Sequence, residues 1–487
     1  MTQDMTDHTL DPDDWEETRA VGHRMLDDMI DYLMNVRERP AWSSPPPETL
    51  NALTEETPHD GAPLGEVYQT FKDHILPYPT GNQHPGFFGW VMGNGTVTGM
   101  LADMLAAGMN PHLAGYDQSA PVVEKQVIAW FADLLGFPKE SSGLLVSGGT
   151  MANLNALAVA RCERAEFDVR REGMSGQPQM TVYGGAETHN WIIKACELTG
   201  LGSKAFRAVP SNDDYSINVN QCREMIRRDI EAGLKPFCII GTVGTVNTGA
   251  SDDIAALRNI ADEFGLWLHV DGAFGALAAL APGVRNQVKA QSCADSIAFD
   301  LHKWGYQPYE IGCVIIRDAA AHKNAFVQNA SYISSMTRGL AVDSTYFADR
   351  GLQLSRGFRA LKAWMLMKET GAKKLGALIQ QNVDLAQYLA SRVDAESAME
   401  RMAPAPMNIV CFRYVTASMN EQELDALNRE ILYRIQESGE ALPSHTMING
   451  RFSLRACITN HRTRKKDVDT LVDLTLRFGR EIANERS

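Results

Sequence analysis

The 487-residue chain is predicted to be an α/β protein, with a large domain on a mainly parallel sheet, a helical arm before it and a smaller α+β unit after it. Three observations predict this. Between 144 and 318, short β-rich runs (144–147, 180–183, 204–209, 237–242, 266–271, 296–301 and 313–317) alternate with helical segments. Alternation of this kind builds a parallel sheet with helices on both faces. The first 85 residues instead carry two amphipathic helical patterns with little core of their own, and after Arg356 the order becomes helix, strand, helix, strand, helix. The expected units are therefore 1–85, 86–355 and 356–487.

In chain order, Asp11 is expected to cap the first helix, with Pro12 in its first turn and Asp13 and Asp14 at the positive end of its dipole. Val21, Met25, Met29, Leu33 and Val36 recur at helical spacing, and Pro40 ends the pattern. An extended SSPPP connector precedes a second amphipathic helix carrying Leu64, Val67, Tyr68, Phe71 and Ile75. These two apolar faces must pack on something else, and a partner subunit is the expected surface. The stretch 82–98, NQHPGFFGWVMGNGTVT, is dense in Gly and aromatics and reads as an irregular loop. Its aromatic side chains either line a pocket or anchor the loop. Helices are expected at 97–107 and 121–135, ahead of the alternating region. Beyond it come a long helix after Arg356, strands at 408–414 and 451–458, a helix at 421–436 between them, and a last helix after Lys465.

Composition narrows the function. The chain is 44% apolar and 22% charged, as a soluble globular protein is, and its net charge of -14 argues against nucleic acid or an anionic membrane as main partner. Eight scattered cysteines without a CxxC pair suit a reducing compartment and suggest neither a disulfide framework nor a metal site. The acidic opening MTQDMTDHTLDPDDWEE is unlike a signal peptide, and no apolar run approaches the ~18 residues of a membrane span, so a cytoplasmic location is expected.

Open α/β sheets bind ligands beyond the carboxyl ends of their strands. That rule singles out the residues following each run. The run 296–301 ends on His302-Lys303. A lysine there either reaches solvent or, being costly to bury charged, is pushed toward the neutral amine that forms Schiff bases. Ser147-Gly148-Gly149-Thr150 precedes a helix at 151–161, so it is either an anion-binding turn or a tight turn in which Thr150 caps the helix. Asp271 follows the strand 266–270, as the partner of a buried cation or as a helix cap. His189, in ETHNWIIKA, can stack on a flat ring or cap the helix after it. Their order along one sheet edge is the informative feature. An anion cradle, a ring-stacking histidine, a carboxylate for a protonated ring nitrogen and a Schiff-base lysine are what a pyridoxal-phosphate enzyme requires.

The segments HVDGAFG, DSIAFDLHKW, IVCFRY and FSLRACITNHRT, the His189 segment and the opening helices with ERPAW together resemble the group II pyridoxal-phosphate-dependent amino-acid decarboxylases. Within these they are most similar to the aromatic L-amino-acid decarboxylases. The resemblance spans nearly the whole chain and implies the aspartate-aminotransferase-like fold (PLP fold type I), pyridoxal 5'-phosphate as cofactor and a homodimer whose sites draw on both subunits. It implies Lys303 as the Schiff-base residue, Asp271 at the pyridine nitrogen, and His189 and Ala273 on the two ring faces. It implies Gly149, Thr150 and His302 around the phosphate, Thr245 near the phenolic oxygen, and Tyr332, in a lid over 328–342, as the group that protonates the substrate carbon. There are departures. Asp300 stands where many relatives have Asn, Val246 replaces a frequent Thr, and the pocket segments read Trp90-Val91-Met92-Gly93 and Leu113-Ala114-Gly115-Tyr116-Asp117. Phe87, Phe88, Trp90 and Tyr116 are the aromatic residues expected around the substrate. The alternatives on the same scaffold are a carbon–carbon lyase or an aldehyde synthase, and outside enzymes a binding protein that has kept the fold.

Overall fold

Seven strands form the central sheet of the computed structural model, which describes residues 8–328, 337–340, 342 and 346–485. A two-residue strand, β1 (Phe87–Phe88), comes first in the chain and belongs to a second sheet. The central sheet comprises β2 (Ser142–Val146), β3 (Met180–Gly185), β4 (Phe206–Val209), β5 (Lys235–Thr242), β6 (Trp267–Asp271), β7 (Ser296–Asp300) and β8 (Gly312–Ile316), in spatial order 2-8-7-6-5-3-4. All neighbouring pairs from β7 to β4 are parallel, and β8 runs antiparallel to both β7 and β2. The seven predicted runs are thus the seven strands, in a mainly parallel sheet.

These strands are apolar along nearly their whole length because helices cover both faces. β6 and β7 are buried at every residue, and their final residues are Asp271 and Asp300. The sheet therefore delivers two buried carboxylates to one edge.

The second sheet has the order β1-β11-β12-β10-β9, with β9 at Met399–Arg401, β10 at Ile409–Tyr414, β11 at Leu442–Ile448 and β12 at Arg451–Cys457. Here the sequence reading needs correction. The 82–98 stretch is not wholly irregular: Phe87 and Phe88 pair in parallel with Leu442 and Pro443 of β11. Strand β11 was not expected, since LPSHTMI lacks a clean apolar alternation. The sheet consequently crosses the predicted boundaries, joining residues near 87 to the C-terminal unit. The long helix Ala360–Ala395, broken at Gly371 by a positive φ of 70°, packs on both cores. The first helix runs Trp15–Met34 and is capped by Asp14, whose carboxylate accepts from the Glu16 and Glu17 N–H groups, not by Asp11. All eight cysteines are free thiols, and no helix among the described residues is long and apolar enough to cross a membrane.

Candidate active site

A cavity of about 570 Å³ opens along the carboxyl edge of β2, β3, β5, β6 and β7. It is lined by Gly149, Thr150, His189, Asp271, His302 and Lys303, six residues that local sequence reasoning placed at this edge separately, and by Ala273, which the family resemblance implied. Chain positions 149 to 303 meet because each follows a strand of one parallel sheet.

Asp271 ends β6 and is 3% exposed. Its Oδ1 accepts from the Ala273 N–H at 3.1 Å and its Oδ2 from Trp191 Nε1 at 2.6 Å. Two donors fix the direction of the carboxylate. Trp191 is a functional residue that the sequence reading missed: it begins the helix Trp191–Leu198, yet its indole serves a carboxylate 80 positions away. His189 meets its helix-capping expectation and also faces the cavity. Its Nδ1 accepts from the Trp191 N–H at 3.2 Å, capping that helix, while the residue also lines the cavity. Burial lowers the His189 pKa despite the nearby Asp271 charge, so the ring is held toward its neutral form.

Between β2 and the helix Gly149–Arg164 lies the turn Ser147–Gly148, and the helix has no side-chain cap. Its first N–H groups therefore face the cavity without intrahelical partners, which is the arrangement that binds phosphate. A Cβ on Gly149 would sit 3.0 Å from Asp300 Oδ2 and 3.3 Å from the Ala273 Cβ, so any larger residue would crowd this turn. His302 accepts from the Ile311 N–H through Nδ1 at 3.2 Å, and burial lowers its pKa as well.

Lys303 corrects one expectation. Burial alone pushes its amine toward the neutral form, but the charge and hydrogen bond of Asp300, with Asp271 and Tyr309 adding to them, outweigh that and raise its pKa. The Nζ to Asp300 Oδ2 distance is 2.9 Å. Without a ligand, Lys303 is thus an ammonium ion paired to Asp300.

Four other expected positions fall elsewhere. Thr245 does not line the cavity: its hydroxyl lies 3.1 Å from the Thr248 hydroxyl and accepts from the Ala250 N–H, closing its own turn. Gly244 and Val246 line the wall in its place. Phe88 is fully buried in the core of the second sheet and Phe87 packs with Ala41 and Leu442, because strand pairing carries both away from the cavity. Tyr116 packs edge-on to Tyr346 outside the cavity. Trp90 does line it, with Val91 and Met92. The Trp90 backbone has a φ of 48°, a strained value for a large residue. It is held by a hydrogen bond from its N–H to Ser444 Oγ (3.1 Å) and one from Arg455 Nη1 to its carbonyl (2.9 Å). The 3%-exposed Arg455 also donates to the carbonyls of Val246 and Asn247, bracing two cavity walls from β12. Tyr332 lies outside the described residues.

The uncapped Gly149-Thr150 turn, His189, Ala273, a buried carboxylate and a lysine around one cavity fit pyridoxal phosphate in size and in donor set. Together with the fold, they define a pyridoxal-phosphate enzyme of the aspartate-aminotransferase-like class. The family model for the pyridoxal-dependent decarboxylase conserved domain matches residues 46–415. The chain is 30% identical over 457 residues to an aromatic-L-amino-acid decarboxylase of Bacillus atrophaeus, covering 93% of each. It is also 30% identical over 470 residues to a phenylacetaldehyde synthase of Arabidopsis thaliana, covering 94% of this chain and 95% of that one. An Oryza sativa protein crystallised with PLP and tryptamine superposes with a TM-score of 0.89 at 26% identity, over 97% of this chain and 100% of that one. The chain belongs to the pyridoxal-dependent decarboxylases, and it is a PLP-dependent amino-acid decarboxylase.

Proposed function

We propose that the protein decarboxylates an aromatic L-amino acid to its amine and carbon dioxide, as a cytoplasmic homodimer. The observation that carries the assignment of roles is the convergence of Lys303, Asp271, His189 and the Gly149-Thr150 turn on one cavity. Bound pyridoxal phosphate supplies an electron sink for the bonding pair left when carbon dioxide departs. Around it, Lys303 would provide the amine for the cofactor's aldehyde. Asp271 keeps a proton on the ring nitrogen, an interaction that strengthens as negative charge develops during the reaction. His189 and Ala273 confine the ring, and Gly149, Thr150 and His302 hold the phosphate. Tyr332 then protonates the alpha carbon.

Trp90, Val91, Met92 and Phe274 supply an apolar and aromatic wall suited to a ring-bearing side chain. The relatives described above, named for aromatic amino acids and their products, support the same substrate class. The paired apolar faces of the N-terminal helices, with Met34, Leu50, Val67 and Ile75 exposed on this chain, support a second subunit. Carbon dioxide release should be measured over Tyr, Trp, Dopa, Phe, His, Glu and 2,4-diaminobutyrate. Turnover is expected to favour the aromatic members, and preference for Glu or 2,4-diaminobutyrate would refute the proposed substrate class. A second reading, an aldehyde synthase, draws on the equally similar phenylacetaldehyde synthase and is separated by the product formed.

A further inference from the structure

Asp300 places a buried negative charge where a phosphate must go. It ends β7, is 2% exposed, and its Oδ1 has no hydrogen-bond partner. Its Oδ2 lies 3.0 Å from where a Cβ would stand on Gly149, and its Oδ1 lies 2.8 Å from where one would stand on Gly312. The carboxylate therefore lies directly beside the Gly148–Gly149 turn. Two like charges sharing a buried site cannot both remain ionised. The offsetting cation here is Lys303, at 2.9 Å. Lys303 is also the amine that must be neutral before it can attack an aldehyde.

The other charged or titratable groups facing this pair do not resolve the conflict. His302 Nε2 is 3.6 Å from Asp300 Oδ2, and both His302 and His189 are kept toward neutrality by burial. Tyr309 and Asp271 approach from the loop and from β6, and neither adds positive charge. Among the described residues lining the cavity, Lys303 is the one lysine or arginine, against Glu187, Asp271, Asp300 and Glu310.

We propose that arrival of the phosphate in the Gly149-Thr150 turn drives a proton from Lys303 Nζ to Asp300, so that one transfer removes the charge repelling the phosphate and frees the amine. The N–H bond of the ammonium breaks, an O–H bond forms on the carboxyl, and no proton is exchanged with solvent. The neutral carboxylic acid then donates that hydrogen to a phosphate oxygen, giving the carboxyl the partner it lacks. The inference rests on the assignment of Lys303 and of the phosphate turn to pyridoxal phosphate.

Two measurements on the full chain freed of cofactor test it. The first uses pyridoxine 5'-phosphate, which has no aldehyde. The isosteric Asp300→Asn should bind it about tenfold or more tightly than wild type, because the repelling charge is gone. The second follows visible absorbance after pyridoxal phosphate is added. Asp300→Asn should load at a rate that rises from pH 7 to 9, because its ammonium has no internal acceptor and must lose its proton to solvent. Tighter anion binding together with a pH-dependent loading rate supports the transfer, whereas weaker anion binding with a loading rate as flat as that of wild type would show a purely structural role for Asp300, and that result overturns it. Wild type alone gives an independent check that no variant's folding can obscure. Its loading rate should be nearly flat from pH 7 to 9, and a tenfold rise per pH unit would show the lysine losing its proton to solvent, overturning the inference. If wild type develops no visible absorbance at all, the cofactor assignment falls with it; if absorbance develops normally but these contrasts are absent, only the proton transfer falls.

Discussion

Protonating His322 should loosen the part of the fold that presents the phosphate turn. This residue is fully buried in the helix Ala319–Phe326. Its Nδ1 lies 2.9 Å from Ser142 Oγ on β2, and its Nε2 lies 3.1 Å from Asn155 Oδ1 and 2.8 Å from the Arg350 carbonyl. Asn155 belongs to the helix whose N-terminus forms the anion cradle. Burial, with a further contribution from the Arg350 charge, lowers the His322 pKa to about 3. The unfolded chain binds the proton near the ordinary value of about 6.5, so stability contributed by the neutral ring is complete above that pH. It is lost progressively as pH falls from 6.5 toward 3. At about 1.4 kcal/mol per pH unit, going from pH 7 to pH 5 costs about 2 kcal/mol through this residue alone. His269 and His461 are also held low by burial, but they titrate in any variant and cancel from a difference. Urea unfolding of wild type and His322→Gln at pH 7 and pH 5 isolates the effect. The variant should be less stable at pH 7, yet it should lose about 2 kcal/mol less than wild type on acidification. Equal losses in the two proteins would show that His322 is not excluded from protonation by the fold.

Lys303→Ala should abolish both turnover and the visible absorbance of the bound cofactor; retained turnover would remove Lys303 from its role. Trp191→Phe keeps the ring that stands edge-on to His269 but removes the 2.6 Å donor to Asp271. A hydrogen bond to a charged group contributes about 1.5–3 kcal/mol, so an absorbance titration should show cofactor affinity weakened about tenfold or more. Arg455→Met removes charge-assisted donors to Trp90 and Asn247, so KM for the amino acid should rise more than kcat falls, and thermal melting should record a stability loss of about 3 kcal/mol. Unchanged kinetics would show that the Trp90 wall does not contact substrate. Tyr332→Phe should shift products from amine toward aldehyde and ammonia, and an unaltered product ratio by chromatography would exclude it as the proton donor.

What could be read from the sequence follows from the range over which a residue's neighbours act. The strands of the central sheet were legible because burial on both faces imposes continuous apolar runs, and the residues after those runs inherit a common edge. That is why Asp271, His189 and Lys303 converge as expected even though 114 positions separate the last two. Their partners were not legible. No local pattern links Trp191 to Asp271 or Arg455 to Trp90, since each bond joins elements that meet only after the sheet has closed. Phe87 and Phe88 show the same limit from the other side: two residues carry no periodicity, and the backbone of β11 alone recruits them into a strand. Lys303 is the instructive case. Burial cost predicts that a buried lysine needs a partner or must lose its proton, and both outcomes satisfy the sequence equally. The structure pairs it with Asp300, on the same strand end and three residues earlier. A carboxylate so close opposes phosphate binding and also holds the amine charged, and the proposed proton transfer would relieve both at once.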